Sequence, residues 1–271
     1  KFQVFKADEL AVPSFTHYGL YKDLEMPEAV WAELISSAHE LGLQVFADVF
    51  GHESADLMHQ LGIDGFKIHA ADVTNSALLR HVGGMRKPVL LSAAGSTWIE
   101  TADAVAALRS AGAESIVLMH GIQNYPTRLE HSFLRRIEML RRKFGLSVGF
   151  ASHVAGGSPE SLSLPLWAVA AGADVLEIHI TIDRSKKGLD YYSSLEPDEF
   201  ATLVQSIKTM EACLGERSLR LSEDELKYRL GHKKWLVAIR DIAAGEQINE
   251  QNVAHKRIDH PPSGRPVKMD F

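Results

Sequence analysis

Ser147-Val148-Gly149-Phe150-Ala151-Ser152-His153 and, after a helical stretch, Val175-Leu176-Glu177-Ile178-His179-Ile180-Thr181-Ile182 set the architecture expected of this 271-residue chain. Each run is short and almost continuously apolar, which suits a strand buried on both faces of a parallel sheet. Residues 161–171 between them carry an amphipathic helical pattern, and Gly172 stands where a helix stops. Strand, helix and strand at this rhythm make a right-handed βαβ unit. The unit recurs upstream, with apolar runs at 2–5, 45–50, 65–69, 88–92 and 115–121 and helical patterns at 26–41, 98–111 and 128–144. A last helix is expected at 197–214, with Gly112, Gly145 and Gly215 as further stops. Seven strands result, and either an open doubly wound sheet or a closed eight-stranded barrel accommodates them. No Gly-x-Gly-x-x-Gly fingerprint opens a helix, which disfavours the dinucleotide-binding version. The first run starts at Lys1 without an initiator methionine, so the N-terminus reads as a cut. The expectation is an α/β fold, a (β/α)8 TIM barrel over residues 1–215 lacking its first βα unit.

Beyond Gly215 the character changes. Residues 216–234 are charged and read as a linker with a short amphipathic helix, and short strands are expected at 235–238, 241–246 and 253–257. This small β module, 235–271, is too short for a core of its own, and the C-terminus also reads as a cut. The whole chain is 45% hydrophobic and 24% charged, a globular composition that excludes general disorder. With 29 Lys plus Arg against 35 Asp plus Glu and no basic run, nucleic acid is not an expected partner. No stretch of about 18 apolar residues occurs, so no membrane span is expected. The single cysteine, Cys213, forms no internal disulfide and points to a reducing compartment, the cytoplasm.

In a barrel the chemistry gathers at the C-terminal ends of the strands. Four histidines fall there: His69, His120, His153 and His179. His153 and His179 end neighbouring strands about 4.8 Å apart, close enough to share one divalent cation, although two separate histidines bonded to carbonyls would leave the same trace. Glu177 lies two residues before His179 and so faces the same way, into the barrel. A buried glutamate needs a cation, and Lys67, itself in an otherwise apolar strand, is the expected partner, either in a site or in a plain interior ion pair. Lys1 opens the first strand under the same constraint. Asp190 sits in the 188–194 loop after the last strand, where a substrate group or a turn former belongs. Gly156 and Gly157 lead into a helix with Ser158 as its N-cap, either to admit an anion or simply to cap the helix.

Seven motifs, in order, carry a family resemblance. Lys1-Phe2-Gln3, Gly65-Phe66-Lys67-Ile68, Lys87-Pro88-Val89-Leu90-Leu91-Ser92, Asn124-Tyr125-Pro126-Thr127, residues 149–153, Glu177-Ile178-His179 and Gly188-Leu189-Asp190 resemble the sialic acid synthase family. Residues 236–257, with Asp241-Ile242, Gly245-Glu246 and Lys256-Arg257, resemble the family's C-terminal antifreeze-like (SAF) domain, here partial. The resemblance implies condensation of phosphoenolpyruvate with an N-acetylated amino sugar such as N-acetylmannosamine, giving a nonulosonic acid and phosphate. It implies a divalent metal, Mn²⁺ before Mg²⁺ or Co²⁺, on His153 and His179. Lys67, Glu177 and Asp190 become the catalytic residues. Lys1, Lys67 and Ser92 would hold phosphoenolpyruvate, Gln3, Tyr125 and Asp190 contact the sugar, and Gln123 is a further substrate-binding position. Arg257 matches an arginine that reaches the site of the partner in a domain-swapped homodimer.

This chain also departs from the family pattern. Ala70 and Ala151 replace phosphoenolpyruvate-binding serines, Ser152 replaces an aspartate, and Gln123 stands at an asparagine position. Asp48, in Ala47-Asp48-Val49-Phe50, puts an acid where a phosphate contact is expected, and carboxylate beside phosphate is repulsive unless offset. Two rival readings follow: another metal-dependent sugar lyase or isomerase that does not use phosphoenolpyruvate, and a non-catalytic sugar-binding homologue.

Overall fold

The computed structural model describes residues 1–216 and 218–259. It divides into two compact units, the first Lys1–Leu214 and the second beginning at Gly215. In the first unit β1 (Phe2–Val4) leads through α1 (Ala7–Leu10), α2 (Tyr18–Asp23) and α3 (Glu28–Glu40) to β2 (Phe46–Val49). The alternation continues with α4 (His52–Gln60), β3 (Gly65–Ile68), α5 (Ser76–Gly84), β4 (Val89–Ser92), α6 (Trp98–Ala111) and β5 (Ile116–Gly121). It closes with α7 (Arg135–Phe144), β6 (Ser147–Ser152), α8 (Pro159–Ala170), β7 (Val175–Ile180), β8 (Ser194–Leu195) and α9 (Pro197–Leu214).

The eight strands lie in chain order in one sheet, each pair of neighbours parallel. Period-two alternation sorts their side chains. Val49, Ile68, Leu91 and Leu118 are fully buried and share a cluster with Leu78, Leu79 and Leu108 of the surrounding helices. The intervening layer pairs Gln3 with Asp48, Asp48 with Lys67, and Lys67 with Leu90 in register. This is the layer that carries charge. In a flat sheet β1 and β7 would lie about 29 Å apart, six strand spacings. The Lys1 ammonium nevertheless reaches the Glu177 carboxylate at 3.0 Å, so the sheet curls back on itself. Among the described residues no ladder joins β1 to β7 or β8, so the curl stays open as a half-barrel. β7 is accordingly only half-buried, and residues 175–178 pair with β6 alone. A cavity of about 540 Å³, walled by Phe46, Leu90, Val117, Leu176, Ile178 and Phe200, lies beside that edge.

All seven expected strands form. The eighth, β8, pairs with His179 and Ile180, and its two residues are too few to show a pattern in sequence. The helix expected from residue 128 starts instead at Arg135, because Phe133 takes a left-handed backbone (φ 44°) and the Ser132 carbonyl accepts from His120 Nε2 at 2.9 Å. Ser158 does cap α8, its Oγ accepting from Ser161 N. The glycine pair before it serves packing. A Cβ on Gly156 would overlap the Ser194 carbonyl oxygen, and the Gly156 amide donates to the Tyr192 carbonyl at 2.8 Å. Gly156→Ala should therefore push β8 off its place and lower stability by about 1–3 kcal/mol, read from urea unfolding.

In the second unit α10 (Glu223–His232) begins on a Ser222–Glu225 capping box, and β9 (Trp235–Ala238) pairs antiparallel with β10 (Val253–Lys256). Residues 241–246 are not the strand expected there. The Glu246 carboxylate accepts from the Ala243 amide, the Arg240 guanidinium and the Asn252 amide, which folds this segment into a turn without ladder partners. The expected module runs on to 271, of which residues 260–271 lie outside those described, as does Arg217 in the expected linker. No helix among the described residues is long and apolar enough to cross a membrane.

Candidate active site

Four charges meet inside the curled sheet. Glu177 Oε1 accepts from Lys67 Nζ at 2.7 Å and from Lys1 Nζ at 3.0 Å. Asp48 Oδ2 stands 3.5 Å from Lys67 Nζ and 3.8 Å from Lys1 Nζ. Asp48 is fully buried, and neither of its oxygens makes a hydrogen bond; Glu177 Oε2 is likewise buried and unpartnered. Burial pushes the Asp48 carboxyl up, against the pull of the two lysines. For Glu177 burial acts in the same direction, but Lys1 and Lys67 outweigh it and hold its pKa down at about 2. Lys67 in turn stays charged: burial opposes its ammonium, and Asp48 and Glu177 more than compensate, raising its pKa above the ordinary value.

Beside Glu177 lie the two histidines, with ring centroids 5.1 Å apart and ring planes nearly perpendicular. His153 Nδ1 donates to the Ile122 carbonyl at 2.8 Å, which leaves Nε2 as the ring's lone-pair nitrogen, 3.3 Å from the Tyr125 hydroxyl. Burial lowers its pKa to about 4, so near neutral pH it is the uncharged, ligating form. Its carbonyl accepts from Thr127 N at 2.6 Å and from Ser193 Oγ at 2.9 Å, tying the strand end to the loops after β5 and β7. His179 Nδ1 lies 3.4 Å from Asp190 Oδ2, and that contact holds the Asp190 carboxylate below its ordinary range. One ligand atom each from His153, Glu177 and His179 lie within 4.8 Å of one another. Two imidazoles and an unpartnered buried carboxylate oxygen form a donor set that fits a divalent cation.

Around this centre Tyr125 packs at a tilt of 45° against His153, ring centroids 4.4 Å apart, its hydroxyl donating to Gln123 Oε1 at 2.6 Å. Burial first, and the Asp190 charge next, raise the Tyr125 pKa and keep it protonated. Gln3 and Asp190 line a second cavity of about 320 Å³ together with His69, Phe5, Tyr21 and Phe50.

A model described as NeuB family matches residues 1–218. The chain belongs to the NeuB family. Among NeuB-like relatives, the N,N'-diacetyllegionaminic acid synthase of Legionella pneumophila is 30% identical over 93% of this chain and 75% of its own length. The synthase of that name from Campylobacter jejuni is 32% identical over 88% of this chain and 70% of its own. The sialic acid synthetase of Leptospira borgpetersenii, crystallised with citrate, superposes with a TM-score of 0.77 at 27% identity, covering 84% of this chain and 79% of that one. The resemblance read from the seven motifs is thus borne out.

Of the residues expected in this NeuB site, Lys1, Lys67, Glu177, His153, His179, Tyr125, Gln123 and Asp190 converge. Ser92 is buried at the end of β4, and its hydroxyl accepts from Ala94 N. Arg257 belongs to the second unit, where its Nε donates to the His232 carbonyl at 3.1 Å. His120 turns away to Ser132, and His69 Nδ1 accepts from Ala71 N. The sequence reading flagged Asp48 as a departure; the register Gln3–Asp48–Lys67 shows that it stands between both lysines.

Proposed function

We propose that this chain condenses phosphoenolpyruvate with an N-acetylated amino sugar of the N-acetylmannosamine kind, forming a nonulosonic acid and releasing phosphate. The observation that carries this reading is the His153–Glu177–His179 cluster set against the Lys1–Lys67 pair at the strand ends of a NeuB-family sheet. In the reaction C3 of phosphoenolpyruvate bonds to the aldehyde carbon of the open-chain sugar. Water adds at C2, phosphate leaves from C2, and the aldehyde oxygen gains a proton.

Lys1 and Lys67, with Ser92, hold the carboxylate and phosphate of phosphoenolpyruvate. Glu177 orients both ammoniums through one oxygen and keeps the other buried and unpartnered. His153 and His179 would hold a divalent cation, most readily Mn²⁺, which when bound supplies Lewis acidity at the aldehyde oxygen. Asp190, ionised, and the protonated Tyr125 with Gln123 and Gln3 offer an acceptor and donors to the sugar hydroxyls and acetamide. Residues 1–215 form the synthase domain in this reading. Residues 216–234 are the linker and 235–271 a partial SAF domain whose Arg257 reaches a partner's site in a domain-swapped homodimer. A reducing, cytoplasmic setting accords with the lone Cys213.

One observation favours a second reading. Asp48 already balances the lysines, which would suit a metal-dependent sugar lyase or isomerase that binds no phosphoenolpyruvate. Phosphate release separates the two. With phosphoenolpyruvate, N-acetylmannosamine and Mn²⁺, the first reading expects sugar-dependent phosphate that a chelator stops and added Mn²⁺ restores. Folded, Mn²⁺-loaded protein that releases none would overturn it and leave the second reading, or plain sugar binding.

A further inference from the structure

The Lys1–Asp48–Lys67–Glu177 cluster is electrically neutral before any substrate arrives, two ammoniums against two carboxylates. Phosphoenolpyruvate brings a carboxylate and a phosphate into this cluster. In a partly dry site two like charges 4 Å apart repel by about 4 kcal/mol at an effective dielectric constant of 20. A synthase with hydroxyl groups lining its phosphate pocket avoids this, because a hydroxyl donates. Asp48 stands where the family resemblance places such a phosphate contact, and as a carboxylate it can only accept. Protonated, it regains an O–H donor and its charge vanishes.

The surroundings suit that exchange. Asp48 is completely buried, Oδ1 has no partner at all, and Oδ2 has only the two ammoniums at 3.5 and 3.8 Å. Facing it are Lys1 at the start of β1, Lys67 and His69 of the β3 end, and Glu177 of β7. Glu177 is already committed to both lysines through Oε1, so it is the less able of the two acids to take the proton. Burial raises the Asp48 pKa, in the same direction.

We propose that Asp48 is the proton-coupled gate of the anion pocket: phosphoenolpyruvate binds at Lys1 and Lys67 together with one proton, which Asp48 holds as a donor to the incoming anion. This deepens the synthase reading and rests on it. Binding then becomes pH-dependent at a pocket that, with a hydroxyl in the same place, would be indifferent to pH.

The test is calorimetric titration of the Mn²⁺-loaded protein with phosphoenolpyruvate, without sugar, in two buffers of different protonation enthalpy. At about pH 8 the ligand's own phosphate, with a second pKa of about 6, is fully ionised and contributes no proton. The expected result is about one proton taken up per ligand, and an affinity that falls about tenfold per pH unit as pH rises further. Asp48→Asn and Asp48→Thr, which offer a donor without titrating, should bind with no proton uptake, more tightly than wild type, and equally across that range. Wild-type binding without proton uptake overturns the gate while leaving the synthase reading in place, and that count needs no variant. Absence of phosphoenolpyruvate binding in all three proteins overturns the synthase reading and the gate with it.

Discussion

His153→Ala should lower turnover by about 10³-fold or more and abolish stoichiometric binding of Mn²⁺, while the folded unit survives. The scale follows from the several kcal/mol that a Lewis acid contributes at a developing oxyanion, each 1.36 kcal/mol being tenfold in rate. Survival of the fold follows from which atoms of His153 do structural work. The contacts from Thr127 N and Ser193 Oγ go to its carbonyl, which alanine keeps, and the side-chain bonds lost are those of Nδ1 with Ile122 and of Nε2 with the Tyr125 hydroxyl. His179→Ala should behave alike, and it also frees Asp190 from its 3.4 Å contact. Metal content by mass spectrometry, phosphate release and the unfolding midpoint check the three parts of the claim. Undiminished turnover of the variant in chelator would remove the histidines from the chemistry.

Lys67→Met is the second large effect, and here stability bears it. Lys67 is almost wholly buried and faces two buried carboxylates, so its loss strands Asp48 and Glu177 with Lys1 alone. Breaking a buried pair in this way costs about 3–5 kcal/mol. The pH dependence reverses with it. In the wild type Glu177 has its folded pKa lowered from 4.5 to about 2, so its contribution is complete above about 4.5 and is lost as pH falls toward 2. In the variant one of the two ammoniums that hold Glu177 down is gone, so its folded pKa climbs, and that of Asp48, already raised by burial in the wild type, rises further. The variant is then relatively more stable in acid and weakens as pH rises through those values. Urea unfolding from mildly acidic to neutral pH should show the gap between wild type and variant widening as pH rises. Lys67→Met combined with Asp48→Asn should recover part of the loss, because the mutated groups share one cluster and do not add independently.

Much of this was legible in the residues because a strand has a period of two. Two positions separate Glu177 from His179, so facing inward together was unavoidable once 175–180 was a strand. Parallel neighbours then brought His153 alongside. Lys67 had to find an anion because its strand is otherwise apolar, and Glu177 was the expected partner. What sequence could not carry was register and short range. That Asp48 lies between two ammoniums depends on a one-residue alignment of three strands, β1, β2 and β3. The two residues of β8 hold no period, and the late start of α7 depends on a single left-handed residue, Phe133. The Gly156-Gly157 pair offered either ligand approach or a close chain crossing; only the position of Ser194 decides for the crossing.

The free edge of β7 has a consequence in crowded solution. Residues 175–178 present their outer backbone amides and carbonyls to no strand among the described residues, next to a largely apolar hollow. Edges of this kind are usually guarded by proline, lysine or an inward-pointing charge. Here no proline or lysine interrupts the stretch, and its one charge, Glu177, is turned inward to bind Lys1 and Lys67. The carboxylate that gathers the two lysines is thereby also the edge's one guarding charge. Colloidal behaviour at high concentration is thus tied to the same carboxylate as the proposed chemistry.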